Sequence, residues 1–319
     1  MRAPPEEVTM RRSVTIVVTV TAMLLSGALA AVAFGGFGDW GAAVDIESYG
    51  AGAHEDFNTT STEGCPFVSP DGKTFFMAST RTGGLGGLDI WVSTRASEDE
   101  PWGEPVNVGA PINSADNDFC PTIARDGATF FFASNRPGYC GASVNADIYT
   151  TRFGPGLTAG NLIHLSCDVN SGWDEHSPFP AQIPGEGTML FYSSARPADA
   201  NDTPGDHDLY MSPRQGGVYM AGIPLSSVNT TANEGQPNVR RDGQELFFWS
   251  DRAGGVGGAD IYSVQKDSPT GDWGTPQNLG PDVNSAAGET RPSLSWDGTT
   301  LYFGSTRVGG QSDVYVTSR

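Results

Sequence analysis

Five carboxylates recur at one place in this 319-residue sequence: Glu63, Asp118, Glu175, Glu234 and Glu289. Each stands five residues after an asparagine (Asn58, Asn113, Asn170, Asn229, Asn284) and three before a proline (Pro66, Pro121, Pro178, Pro237, Pro292). Acids that converge from several segments focus a negative potential and suit a cation or a polar ligand. Two of them, in unlike environments and at a defined separation, could serve as acid and base for hydrolysis or cleavage of a polysaccharide. A structural reading competes. A residue repeated in every copy is equally explained by a recurring partner, and Arg81, Arg136, Arg196, Arg252 and Arg307 recur in the same phase. A further acid precedes an apolar–aromatic pair in each copy. Arg81 with Asp89, and Arg252 with Asp260, are expected to bond across a glycine-rich loop.

Around this repeat lie residues that do not recur. Three of the four histidines, His54, His176 and His207, fall in the same loops as the five acids. His176, His207, Asp202 and Asp206 could hold a divalent metal, and oxygen-rich ligands suit calcium; a solvated acidic loop is the plainer reading. Trp173 and Tyr139 share this rim and could stack on a sugar or a peptide. The glycine runs at Gly83–Gly87 and Gly254–Gly258 precede no helix and read as turns, not as phosphate loops.

Cys65, Cys120, Cys140 and Cys167 are an even set, which in an exported chain implies disulfides, with three pairings open. Cys140–Cys167 fits the placement of both residues on one rim. Cys65 and Cys120 occupy equivalent places in adjacent inner strands, a pairing that requires those strands to approach closely. No Cys/His spacing argues for zinc.

Export itself is read from the start of the chain. Arg11 and Arg12 precede the apolar run SVTIVVTVTAMLLSGALAAVAF, with small-x-small cleavage sites at Ala28–Ala30 and Ala31–Ala33. This is the form of a bacterial secretory signal peptide. Residues 1–33 are therefore read as the signal, 34–42 as a linker and 43–319 as the folded domain, secreted or periplasmic. Left uncleaved, the run would be a membrane anchor. The charge balance is 18 basic against 37 acidic residues, net −19. Such a surface repels phosphate backbones and anionic lipid, which excludes nucleic acid as a partner. A monomer is expected.

What could position these residues is a repeat. The asparagines step by 55, 57, 59 and 55 residues. Glycine (42) and proline (22) make up about one residue in five, as many short strands with tight turns require. Each copy reads as strand, Asp-Gly turn, apolar aromatic strand, glycine loop and alternating strand, as in PFVSPDGKTFFMASTRTGGLGGLDIWVST. PVNVG, NLIHLS, AGIPLSS and QNLG supply a fourth strand after copies one to four. Four-stranded units at this period predict an all-β, five-bladed β-propeller of antiparallel blades. The fifth copy stops after three strands, whereas AVDIESYG (43–50) precedes the first copy and alternates like a fourth. The N-terminal strand is thus expected to close the last blade and remove its open edge.

The pattern P-x-x-S-P-D-G, F-x-S-x-R-x-G-G and D-I-[WY] resembles the WD40-like repeat of TolB-type propellers over residues 43–319. That family includes a periplasmic scaffold for cell-envelope partners, propeller domains of peptidases and sugar-acid lyases. The chain has no G-x-S-x-G and no separate α/β domain. The resemblance implies an exported, non-catalytic propeller that binds a protein, peptide or glycan, without a required cofactor. Polysaccharide hydrolysis or lysis by rim carboxylates is the alternative.

Overall fold

The computed structural model describes residues 37–138, 140, 141, 145–197 and 205–319. The export-signal reading, Tyr139 and Asp202 lie outside the described residues. Among them no helix is long and apolar enough to cross a membrane.

The chain enters through β1 (Val44–Asp45) and one 3-10 turn, Ile46–Ser48. Blade one is β2 (Glu63–Val68), β3 (Thr74–Ser79), β4 (Asp89–Thr94) and β5 (Val106–Asn107). Blade two is β6 (Asp118–Ile123), β7 (Thr129–Ser134), β8 (Asp147–Arg152) and β9 (Ile163–His164). Blade three is β10 (Glu175–Ile183), β11 (Gly187–Ser194), β12 (Asp208–Gln215), a short extra strand β13 (Val218–Tyr219) and β14 (Ile223–Pro224). Blade four is β15 (Glu234–Val239), β16 (Glu245–Ser250), β17 (Asp260–Gln265) and β18 (Gln277–Asn278). Blade five is β19 (Glu289–Leu294), β20 (Thr300–Ser305) and β21 (Asp313–Ser318), and its outer strand is β1, with Val44 opposite Val316 and Asp45 opposite Tyr315. The ring is a closed five-bladed propeller.

Each second strand is apolar on both faces, and period two divides it between two neighbours. Phe75 and Met77 pack toward blade five, whereas Phe76 packs toward blade two. Phe130 and Phe132 face blade one, and Phe131 faces blade three. One apolar cluster therefore fills each of the five junctions between blades. A second tie is polar. Asn113, Asn170, Asn229 and Asn284 each accept from the backbone N–H, and donate to the carbonyl, of Ile90, Ile148, Leu209 and Ile261 in the preceding blade. Asn58 does the same with Val314, across the junction of the two chain ends.

Residues 37–42, read from sequence as a linker, run along blade five. Gly41 N donates to Ser318 O at 2.8 Å, and Trp40 packs edge-on against Phe247 with centroids 5.9 Å apart.

Candidate functional site

The five recurring acids start the five inner strands. None has any exposed surface. In blade four, Glu234 accepts from Thr230 N (2.9 Å), Thr230 Oγ1 (2.7 Å), Ser250 Oγ (2.8 Å) and Arg252 Nη2 (3.0 Å). Glu63, Glu175 and Glu289 repeat this set with Arg81, Arg196 and Arg307. The shorter Asp118 is reached by Ser114 and by Arg136 at 2.6 Å. Each arginine also donates to a carbonyl in the preceding loop: Phe57, Ile112, Val169, Val228 or Val283. The set is a buried, fully hydrogen-bonded lock on the loop that opens each blade. Burial pushes the Glu175 carboxyl up against these bonds. A carboxylate so enclosed has no face left for substrate.

Arg81 and Arg252 thus bond Glu63 and Glu234, not Asp89 and Asp260 as the spacing suggested. Asp89 accepts instead from Leu85 N in the glycine loop and from Asn107 Nδ2 on β5, the latter at 3.0 Å. An 18-residue separation hides the true pair, because only the hairpin brings Arg81 back over Glu63.

The sulfurs of Cys65 and Cys120 are bonded, as are those of Cys140 and Cys167. Cys65 and Cys120 can meet because each inner strand carries a bulge two residues after its acid. There Cys65, Cys120, Ser177, Gln236 and Arg291 all adopt left-handed φ, between 48° and 61°, and turn toward the axis. Cys65 Sγ and Cys120 Sγ lie 3.8 and 3.7 Å from Gln236 Oε1, and Ser177 Oγ lies 3.5 Å from it. Disulfide, hydroxyl and amide form a floor across the channel.

Above that floor the blades differ. Phe119 and His176 stand with ring centroids 6.2 Å apart, and His176 and His207 at 4.6 Å. Glycine at two positions makes room. A Cβ on Gly64 would lie 2.5 Å from Arg291 Nη1, and one on Gly235 would lie 2.4 Å from the Trp249 indole. His176 Nδ1 contacts Ser177 Oγ at 2.7 Å. Trp173 is 40% exposed on the same rim. His54 lies apart, bonded to the Asp56 amide. Among the described residues no group of three or more His, Cys, Asp or Glu side chains could hold a metal ion.

A groove of about 680 Å3 opens elsewhere, between blades two and three. Phe131, Ile163, Val218 and Tyr219 form its apolar part; Thr151, Gln182, Arg152 and Arg214 are among its polar groups. Strand register explains it. Tyr219 is four residues before Ile223, which pairs with Met211 as Val106 pairs with Val92, so it occupies the place of Trp102 in blade one. Trp102 is buried at its junction. The smaller tyrosine, on the extra strand β13, leaves space, and burial pushes its hydroxyl up to about 12. At the position equivalent to Thr151, Ser93, Ser212 and Thr317 donate to Gly103, Met220 and Gly41 carbonyls. Thr151 Oγ1 is buried without a hydrogen-bond partner among the described residues.

Sequence reasoning located the rim but not Arg291, Phe119, Trp249 or the groove. The available signal was non-recurrence: two residues past the acid, the copies read Cys, Cys, Ser, Gln and Arg.

Neither a protein-family model nor a curated protein sequence matches the chain. By fold it is a five-bladed β-propeller, and solved structures share its fold. It is similar to the α-L-arabinofuranosidase from Lactobacillus brevis (10% identity, TM-score 0.54, covering 83% of this chain and 94% of that one). It is similar to the native arabinanase of Bacillus subtilis (11%, 0.51, covering 82% and 95%). A putative TolB from Agrobacterium tumefaciens matches at 18% identity and TM-score 0.48, over 85% of this chain and 79% of that one. At such identities the likeness is one of fold, and activity must be argued from the sites.

Proposed function

We propose that this protein is an exported, non-catalytic propeller that binds an extended segment of a protein, peptide or glycan at the cell envelope. The observation that carries this reading is the groove between blades two and three. Its volume of about 680 Å3 falls in the range of about 300–1,000 Å3 typical of ligand sites. It combines the apolar surface of Phe131, Ile163, Val218 and Tyr219 with the polar side chains of Gln182, Arg152 and Arg214, the mixture that ligand sites present. Hydrolysis or lysis by the ring acids is disfavoured, because Glu63, Asp118, Glu175, Glu234 and Glu289 are enclosed by their own blades.

The test is a screen of the mature domain against defined glycan and peptide arrays. A ligand whose affinity falls at least tenfold in Tyr219→Ala and in Arg152→Ala supports the reading. Ligands unaffected by both changes would remove the groove from it. Release of products from any polysaccharide by the wild type, lost in Glu175→Gln, would overturn the non-catalytic part.

A further inference from the structure

We infer that the channel mouth on the carboxylate-bearing face is a binding site for an oxyanion, a carboxylate or phosphate group, held by the Arg291 guanidinium and the free ring nitrogen of His176. This site is separate from the groove and does not depend on it.

Charge matching sets Arg291 apart. Each of the five recurring arginines has its own carboxylate: Arg81–Glu63, Arg136–Asp118, Arg196–Glu175, Arg252–Glu234 and Arg307–Glu289. The acids of the ring are thereby consumed. Arg291 is an additional cation, placed on the axis where the other blades put cysteine, serine or glutamine. Among the described residues it makes no hydrogen bond, ion pair or ring contact. Its guanidinium lies over Gly64, in the space a side chain there would fill. The residue is half-buried. Burial alone lowers its affinity for its proton, with no neighbouring carboxylate acting against that. A guanidinium presents five donors in a planar fork that matches an oxyanion. One left unmatched in a confined site costs free energy until an anion or water fills it.

His176 completes the geometry. Its Nδ1 is engaged by Ser177 Oγ at 2.7 Å, which leaves Nε2 without a partner among the described residues. The ring is held between Phe119 and His207. Arg291 is near enough to act on it: burial, then His207, then Arg291 lower its basicity. Arg291 is the cation of this pair, in a chain of net charge −19, and Asp174 and Asp206 stand near enough to His207 to raise its basicity. Phe119 gives a flat apolar wall beside His176, as suits a small ring bearing an acid group.

The experiment is titration calorimetry of the wild-type domain with inorganic phosphate, D-glucuronate and D-glucose. Saturable binding of phosphate or glucuronate, and none of glucose, is expected. The tighter of the two anions identifies the source of the group. Arg291→Met should weaken the anion at least about tenfold, and Arg291→Lys less, since a point charge replaces the fork. Tyr219→Ala should leave anion binding unchanged, which separates this site from the groove. Absence of saturable anion binding, equal binding of glucose, or full affinity in Arg291→Met would each overturn the inference. Should Arg291→Met fail to fold, selenate soaked into wild-type crystals decides: an anomalous peak within hydrogen-bond reach of Arg291 supports the site, and its absence overturns it.

Discussion

In blade one, Asn107 on the outer strand donates to Asp89 at 3.0 Å, and in blade four Asn278 donates to Asp260 at 2.9 Å. In blade five the outer strand comes from the other end of the chain, and its equivalent residue is Asp45, diagonal to Asp313. Amide against carboxylate has become carboxylate against carboxylate, and like charges across a sheet repel. Asp313 is accordingly pushed up to about 6, by burial first, then by Glu63, Asp45 and Glu47. Yet Asp45 Oδ1 accepts from Glu47 N at 2.8 Å and Oδ2 from Asn58 Nδ2 at 3.0 Å, as Asn107 Oδ1 accepts from Gly109 N and Asn113. The seam keeps the shape of an ordinary blade and loses one of its attractions. Closure must therefore come from burial and from the asparagine tie.

The largest test of that contrast removes the seam. Deleting residues through Ser48 strips Ile46, which is 1% exposed, along with Asp45 and the β1 pairing. Loss of one buried Ile alone costs about 2–5 kcal/mol, and an open edge is added. We expect the truncated chain to lose its cooperative urea transition or to unfold at a much lower midpoint. A permutant with 319 joined to 43, and new ends between blades one and two, should fold. Equal stability of the truncated chain would show that closure by β1 is dispensable.

Next in size is the carboxylate lock, whose hydrogen bonds are internal to each blade, although at the seam Glu63 also faces Asp313. Glu234→Ala leaves Arg252 without its charge partner, and breaking such a pair costs about 3–5 kcal/mol. Glu63→Ala, beside the seam, should cost the same within about 1 kcal/mol by urea denaturation. A clearly larger loss at Glu63 would mean that the lock also bears on closure.

Legibility followed the same line. The blades were readable because strands such as TFFMAS and TFFFAS are apolar at consecutive positions, the mark of burial on both faces. Closure was readable as an accounting problem, since the fifth copy lacked one strand. The role of the five acids was not. Arg81 lies nearer in sequence to Asp89 than to Glu63, and only the hairpin decides between them. Arg291 escaped because its isolation is a property of five strands at once: the bulge turns it inward, and Gly64 leaves it room. The groove escaped because blade three lacks the Trp-Gly-x-Pro of blades one and four, so nothing in the chain marks Tyr219 as standing in the place of Trp102.

The smallest change tests the seam most directly. Asp45→Asn restores the arrangement of blades one and four, because an asparagine can accept from Glu47 N and Asn58 while donating to Asp313. The group affected has a raised folded-state pKa. Protonation of Asp313 therefore favours the folded state, and that contribution is present at low pH. It is lost as pH rises from the ordinary carboxylate value, about 4, through about 6, because the unfolded chain ionises first. Asp45→Asn should bring the Asp313 carboxyl down toward its ordinary range and raise stability at pH 7 by roughly 0.2–1 kcal/mol, the size of a cross-strand pair. Near pH 4 the two proteins should unfold at nearly the same urea concentration, and the gap should open between pH 4 and 7. The same exchange reversed in blade four, Asn278→Asp, should destabilise by a similar amount over the same range. A gap independent of pH would mean that the repulsion between Asp45 and Asp313 is not what separates the seam from the other blades.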